Sequence, residues 1–322
     1  MSIKKTALIL TLLIICFSSP LFGAKYAGEF LSLGVGGKAL GMGGAFVAIA
    51  DDGSAGYWNP AGLWQIETKE LSFMHAETFG SLLNHDFISY VIPKKSETSQ
   101  TAFGINLMRL GGGGIKITEL PYPDEPPGEN NQPYVVDEKS HADYVFLFSY
   151  SRKINSIFAF GGNAKWIYRD IAGNSAYGLG IDLGILAPVS NSLTLGASLL
   201  DATTTFLAYG NGTKESIYPT LKTGSKFSQN LKDFVLIFAV DSDFRFEGRD
   251  YAAQLNFNDF SVDLHYGLEL NYLEKTALRV GLDQGNFTLG AGLRTKKIGA
   301  DIAFLSHDEL DNSYRISLHL KL

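Results

Sequence analysis

From Leu71 to the C-terminus, apolar side chains return at every second position. Tyr177, Leu179, Ile181, Leu183 and Ile185 alternate with Gly178, Gly180, Asp182 and Gly184. Phe287, Leu289, Ala291 and Leu293 alternate with Thr288, Gly290 and Gly292, and Tyr314, Ile316, Leu318 and Leu320 with Arg315, Ser317 and His319. A period of two belongs to strands, because successive side chains of an extended chain point to opposite faces. About fourteen such runs occur, near 71–78, 85–93, 100–110, 142–152, 156–169, 176–188, 191–201, 217–228, 233–245, 262–273, 276–283, 287–296, 298–306 and 313–322. Most approach the roughly 9–11 residues that a tilted strand needs to cross a bilayer.

Alternation does not say which face meets water. In a soluble sheet the outer face carries many charges. Here the polar face mixes Gly, Ser and Thr with single charges. The apolar face is almost free of charge and is rich in aromatics, as in Tyr144, Phe146, Phe148 and Tyr150. Aromatics at strand ends suggest interfacial girdles around a lipid-facing band. Connector lengths point the same way: long ones at 111–141, 202–216 and 246–261 alternate with short ones at 153–155, 189–190, 274–275 and 297. Membrane barrels have short turns on one side and longer loops on the other. The expected fold is therefore all-β, a transmembrane antiparallel β-barrel of about 14 strands with its polar face in the lumen. A soluble periplasmic β-protein is the competing class.

Residues 1–24 read as an export signal, with Lys4 and Lys5 ahead of the apolar run Ala7 to Phe17, which is too short to span a bilayer. The one cysteine, Cys16, falls inside it. The exported chain then has no thiol for a disulfide, a nucleophile or a metal site, which suits a bacterial envelope. Between signal and strands, at 25–66, lies a glycine-rich stretch running from Phe30 to Trp64. Gly34, Gly36, Gly37, Gly41, Gly43 and Gly44 suit close backbone approach or positive φ, and Asn59–Pro60 is a turn signal. Ala45 to Ala50 could form a short apolar helix stopped by Asp51–Asp52–Gly53. The stretch reads as a plug packed inside the barrel of residues 67–322.

No catalytic constellation emerges. Gly34 to Ala39 lacks the preceding strand that would make it a nucleotide loop, there is no GxSxG elbow, and a net charge of −6 without a basic tract gives no hint of nucleic acid. His75, His85, His141, His265, His307 and His319 show no metal-ligand spacing and read as solvated or rim residues, although His75 and His85 could meet across the first hairpin. No metal, cofactor or enzymatic activity is expected. Lys165, Arg169, Asp182, Glu269, Arg279, Asp283, Arg294, Asp301 and Arg315 alternate in sign on the polar faces. Cross-strand ion pairing accounts for such a set better than a selectivity ring does. The Gly- and Pro-rich span 111–141 reads as a structureless loop suited to an exposed lid or a partner contact.

The run FLSLGVGGKALGMGGAFVAIADDGSAGYWNPAGL, with the later runs LFSYSRK, YGLGIDLGIL, LTLGASLLD, LRVGLDQGNFTLGAGLR and SYRISLHLKL, resembles the PorV/PorQ family of outer-membrane proteins, within the wider FadL-like group of long-chain fatty acid transporters. The resemblance implies a fourteen-stranded barrel with an N-terminal hatch in its lumen. It also implies that Asn59, Pro60 and Ala61, followed by Gly62, form the hatch turn that gates the passage. Two functions follow from it: passage of hydrophobic or small amphipathic compounds across the outer membrane, or a role in type IX secretion, binding or shuttling secreted proteins at the cell surface. The implied partners are outer-membrane lipid, hydrophobic small molecules, and secretion-system or secreted proteins.

Overall fold

The computed structural model describes residues 27–322 apart from 79, 97–98, 156, 247–248, 250–252 and 308–310. The signal expected at 1–24 lies outside the described residues. Seventeen strands follow in chain order: β1 (Glu70–Thr78), β2 (Leu83–Lys95), β3 (Gln100–Glu119), β4 (Tyr134–Lys153), β5 (Ala159–Ile171), β6 (Asn174–Pro188), β7 (Leu193–Leu200), β8 (Thr205–Tyr209), β9 (Lys214–Ile217), β10 (Thr220–Leu231), β11 (Phe234–Arg245), β12 (Leu255–Asn256), β13 (Ser261–Tyr272), β14 (Thr276–Asp283), β15 (Asn286–Arg294), β16 (Ile298–Leu305) and β17 (Ser313–Lys321). Fourteen of them form a closed antiparallel wall, with β8, β9 and β12 as additions. Closure comes from β1, which pairs with β2 on one side and with β17 on the other, from Glu70↔Lys321 to Glu77↔Tyr314.

The two faces of the wall answer the question that alternation left open. Leu179 is 72% exposed and Ile316 61%, whereas Asp182 and Arg315 between such positions are 2% exposed. The outward face is thus apolar, unlike that of a soluble barrel, whereas the buried inward face mixes charged and polar residues with apolar ones such as Met74, Phe87, Met108 and Ile167. On the outward face, Tyr144, Tyr168 and Tyr177 lie side by side near one end, while Phe103, Tyr150 and Phe160 do so near the other. Between them Phe146 stacks on Trp166. The wall has a turn end, where β1 begins and short turns join successive strands, and a loop end.

Strand positions match the alternating runs closely; the connectors differ. The span 111–141 is not structureless. β3 and β4 keep pairing from Gly112↔His141 out to Glu119↔Tyr134, beyond their other neighbours, with register shifts after Gly112 and after Ile117. Glycines and prolines hid this arm: the glycines sit at its bulged base, with Gly114 at φ +79°, and the prolines at its tip. Likewise 202–216 holds the β8–β9 hairpin, which continues the β7–β10 hairpin past a bend. On one arm of the bend Asp201 and Thr204 take positive φ; on the other stands Pro219, which has no N–H for the ladder. Ala45 to Ala50 holds a single turn at 47–49 rather than a helix, and the helical turns fall on Gly37–Gly41 and Ala55–Trp58. The histidines also need correction. His85, His265 and His319 are buried, and His75 points outward while its hairpin neighbour His85 points inward.

Candidate functional site

Residues 27–66 lie inside the barrel and are held from around its circumference. The Gly37 amide donates to Ser317 Oγ of β17 at 2.8 Å, and Gly53 N to Glu70 Oε1 of β1 at 2.9 Å. Phe46 N and Val47 N both donate to Asp241 Oδ2 of β11, at 2.6 and 2.7 Å. This carboxylate takes the place of the helical acceptors that Ala45 to Ala50 lack. Asn163 Nδ2 of β5 donates to Gly56 O at 2.8 Å. Gly34, Gly36, Gly43 and Gly44 adopt positive φ, Gly37 lies against Asp301 and Gly41 against Gly290. At Gly43 both demands meet: φ is +63°, and a Cβ would stand 2.6 Å from Leu282 N and Tyr266 O of the wall.

Asn59, Pro60, Ala61 and Gly62 sit against β4, β5 and β6 at the turn end. Asn59 Oδ1 accepts from Ala61 N at 3.1 Å, closing the turn, and Pro60 opens the 3-10 turn Pro60–Gln65. Asn59 Nδ2 donates to Val47 O and to Ile185 O, both at 2.9 Å. One amide thereby ties the turn both to the segment and to the wall. Ser151 Oγ donates to Ala61 O at 2.9 Å. A Cβ on Gly184 would fall 2.2 Å from Asn59 Oδ1, so the wall is shaped to receive this turn.

Charged side chains on the inner face form linked pairs. Lys165 Nζ lies 2.8 Å from both Asp182 and Asp201. Arg279 bridges Glu269 at 2.5 Å and Asp301 at 2.8 Å, and Asp301 also takes Arg294 at 2.5 Å. Asp283 stands apart from this group, 3.0 Å from His265 at the loop end. Within the segment, Lys38 pairs with Asp51 at 2.7 Å. Burial opposes the charge on both, but the surrounding opposite charges together outweigh it, Asp51 with Glu269 and Asp52 for Lys38, and Lys38 with Lys226 and Arg294 for Asp51, so the Lys38 pKa is raised and the Asp51 pKa lowered. Burial pushes the neighbouring Asp52 carboxyl above its usual range. These three line a polar cavity of about 420 Å³ at the turn end. Among the described residues no cluster of His, Cys, Asp or Glu is placed to hold a metal ion.

Ala27 to Leu33 forms a strap across the loop end, a part that sequence reasoning passed over. Glu29 Oε1 accepts from Arg245 Nη1 at 3.1 Å and from Arg249 Nη2 at 3.3 Å. The Tyr57 hydroxyl donates to Leu31 O and accepts from Gly34 N, and Arg315 Nη2 donates to Leu33 O at 3.1 Å. Phe30 is buried beneath the Arg169 guanidinium. Three cavities meet at this strap: about 230 Å³ beside Glu29, Ser32 and Leu33, about 50 Å³ beside Ala27 to Ser32, and an interior one of about 30 Å³ under Leu31 and Tyr57. Asp241, Asp243 and Arg245 share one face of β11, and that alternation was the one available signal for the arginine.

Comparison with known proteins gives a consistent picture of the fold. The model of Uncharacterised protein family (UPF0164) matches residues 18–177. No curated protein sequence matches the chain. Among solved structures, the toluene transporter TbuX of Ralstonia pickettii superposes with a TM-score of 0.59 at 14% identity, covering 90% of this chain and 98% of its own. The monoaromatic hydrocarbon channel CymD gives 0.56 at 12%, covering 90% and 98%, and a Pseudomonas aeruginosa FadL homologue 0.56 at 12%, covering 89% and 98%. By fold the chain is a closed fourteen-stranded barrel like these three, and over its N-terminal part it is similar to family UPF0164.

Proposed function

We propose that the chain is a bacterial outer-membrane barrel of the FadL-like, PorV/PorQ-like kind, passing hydrophobic or small amphipathic compounds, with residues 25–66 as its hatch. One observation carries the reading: an apolar outward belt surrounds a bore of mixed polar and apolar lining that the chain's own N-terminal segment occupies. The segment is a separate stretch of chain held by hydrogen bonds and by an apolar core it shares with the wall, and local opening of such a unit can precede unfolding of the barrel. Similarity to a toluene transporter and a hydrocarbon channel favours apolar cargo. The hatch turn Asn59–Gly62 would then gate the turn end, with the Lys38–Asp51 pair beside it.

The test is flux of toluene and of sodium decanoate into proteoliposomes, with the intact mature chain and with residues 30–64 deleted. Passage above that of empty liposomes, increased by the deletion, is expected. Flux no greater than that of empty liposomes in both would sink the reading. A second reading, a type IX secretion-associated barrel that handles secreted proteins, is favoured by the β3–β4 arm, which extends past the wall with Tyr134, Val135 and Val136 exposed. It predicts co-purification of translocon components or secreted cargo, lost when residues 113–139 are trimmed. A soluble periplasmic protein would leave the membrane without detergent, which the apolar outward face opposes.

A further inference from the structure

The two ends of the barrel differ in charge. From the β13–β14 turn to the seam where β17 meets β1, Lys275, Lys296, Lys297, Lys321 and Lys69 stand exposed on turns and strand ends, against the exposed acids Glu67 and Glu274. The ion pairs at this end, Lys38–Asp51, Arg294–Asp301 and His319–Glu70, leave these lysines out, and among the described residues none of the five has an acidic partner. The opposite end is acidic: the β3–β4 arm exposes six acids, from Glu119 to Glu138, against Lys116 and Lys139. Like charges gathered without counter-ions set up a field that draws in the opposite charge.

Three of the lysines, Lys275, Lys296 and Lys321, open onto the polar cavity of about 420 Å³ at the turn end. Deeper in it lies Asp52, 7% exposed. Its Oδ1 accepts from Ser54 N at 2.8 Å and from Ser54 Oγ at 2.6 Å, while its Oδ2 has no partner among the described residues. A buried oxygen left unmatched is costly. Its neighbours are already engaged: Lys38 is held by Asp51, and His319 lies between Glu70 and Asp301. The cavity thus presents unpaired cations at its rim and an unmatched oxygen within.

We propose that this end is the docking surface of a water-soluble protein with an acidic face, and that an acidic segment of that partner enters the cavity, its carboxylates at Lys275, Lys296 and Lys321 and its backbone at Asp52. The inference rests on the outer-membrane reading above, in which short turns face the periplasm, and adds a periplasmic partner to it. A polypeptide fits for two reasons. Its backbone carries both a donor and an acceptor, so it satisfies Asp52 Oδ2 in either protonation state. Its carboxylates reach the rim lysines from the water side. A lipid head would approach along the outward face, where Tyr272, Leu278, Leu293 and Ile298 stand, whereas the three lysines line the cavity. The acidic loop end repels the same partner, so the attraction has a direction. Seated there, the partner would stand where cargo leaves the turn end.

The test uses the mature chain in nanodiscs of phosphatidylcholine, which offer no competing anionic lipid. The probes are an alternating Glu-Gly peptide and its neutral Gln-Gly twin, each carrying a quencher. Binding is read from a fluorophore on Glu67→Cys, with Asp124→Cys on the arm as the distant control. Each cysteine would be unique, since Cys16 falls in the expected signal. The Glu peptide should bind about tenfold more tightly than its twin, between the effects of one and two lysines beside opposite charge. It should lose that advantage as salt rises from about 0.05 to 0.5 M, and should quench the label at 67 but not that at 124. Lys296→Gln with Lys321→Gln should remove the preference, and Asp52→Ala should weaken both peptides by the same factor. In intact cells, a photo-crosslinker at Lys297 should yield an adduct with a soluble protein of acidic isoelectric point, lost in the Lys296→Gln, Lys321→Gln pair. Equal binding of the two peptides by the wild type, an adduct with phospholipid alone, or no adduct overturns the proposal, and these results need no charge variant to assemble. Preference for the Glu peptide without flux would sink the passage and leave the docking surface, whereas flux with equal peptide binding would do the reverse.

Discussion

The N-terminal segment is two regions in one chain, and they are held differently. Residues 36–66 meet the wall through backbone amides, through glycines at close approach, and through apolar side chains such as Leu40, Phe46 and Trp58 in a core shared with it. Residues 27–33 meet it through fewer ties: Glu29 shared by Arg245 and Arg249, Phe30 under Arg169, and the Leu33 carbonyl accepting from Arg315. Backbone contacts have few alternatives and no competitor in solution. A partly exposed ion pair exchanges readily with water and with other anions. The difference predicts that the strap, with fewer ties, releases more readily than the glycine-rich part.

Predictions that break or sharpen this contrast fall in order of size. Arg279→Leu should cost the most, roughly 3–5 kcal/mol, because it strands Glu269 as a buried charge, while Asp301 keeps Arg294 and His319; urea unfolding in lipid would measure it. Gly43→Val should cost about 3 kcal/mol, combining positive-φ strain with overpacking against Leu282 and Tyr266, read as a lower midpoint. Asn59→Ala should cost about 1–2 kcal/mol through the lost cap and its two carbonyl bonds, and should speed hydrogen exchange at Ala61 and Gly62 before it affects the wall.

The smallest effect concerns Lys38–Asp51, a partly buried pair worth about 1 kcal/mol or less. The lowered Asp51 carboxyl adds stability that is full above its ordinary value of 3.8 and is lost as pH falls through the folded value. The raised Lys38 ammonium adds stability that is full below 10.5 and is lost as pH rises through the folded value. Leakage of a small solute through the turn end should therefore be flat across neutral pH and rise only outside that window. Asp51→Asn should raise it slightly and abolish the acid limb. A pH-dependent leak near neutrality in the wild type would contradict the assignment.

Much of the wall was legible in the sequence because burial on one face and exposure on the other impose a period of two, and Tyr177 to Ile185 displays it residue by residue. What was illegible came from partners far apart in the chain. Nothing local marks Asp241 as the acceptor for Phe46 and Val47, nor Glu29 as the counter-ion of Arg245 and Arg249. Apolar composition suggested a helix at Ala45 to Ala50, and tertiary hydrogen bonds overrode it. In the arm, Gly112 to Gly114 looked like the start of a loop, whereas they form bulges that twist a hairpin without ending it.

That arm has a practical consequence. Its tip is tied by Asn131, whose amide donates to Tyr122 O and Glu125 O while its oxygen accepts from Tyr122 N, so it is a fixed beacon rather than a tangle. An epitope spliced between Asp124 and Asn130 would stand clear of the headgroups on one side only. Antibody staining of whole, unbroken cells would then reveal which way round the chain was threaded.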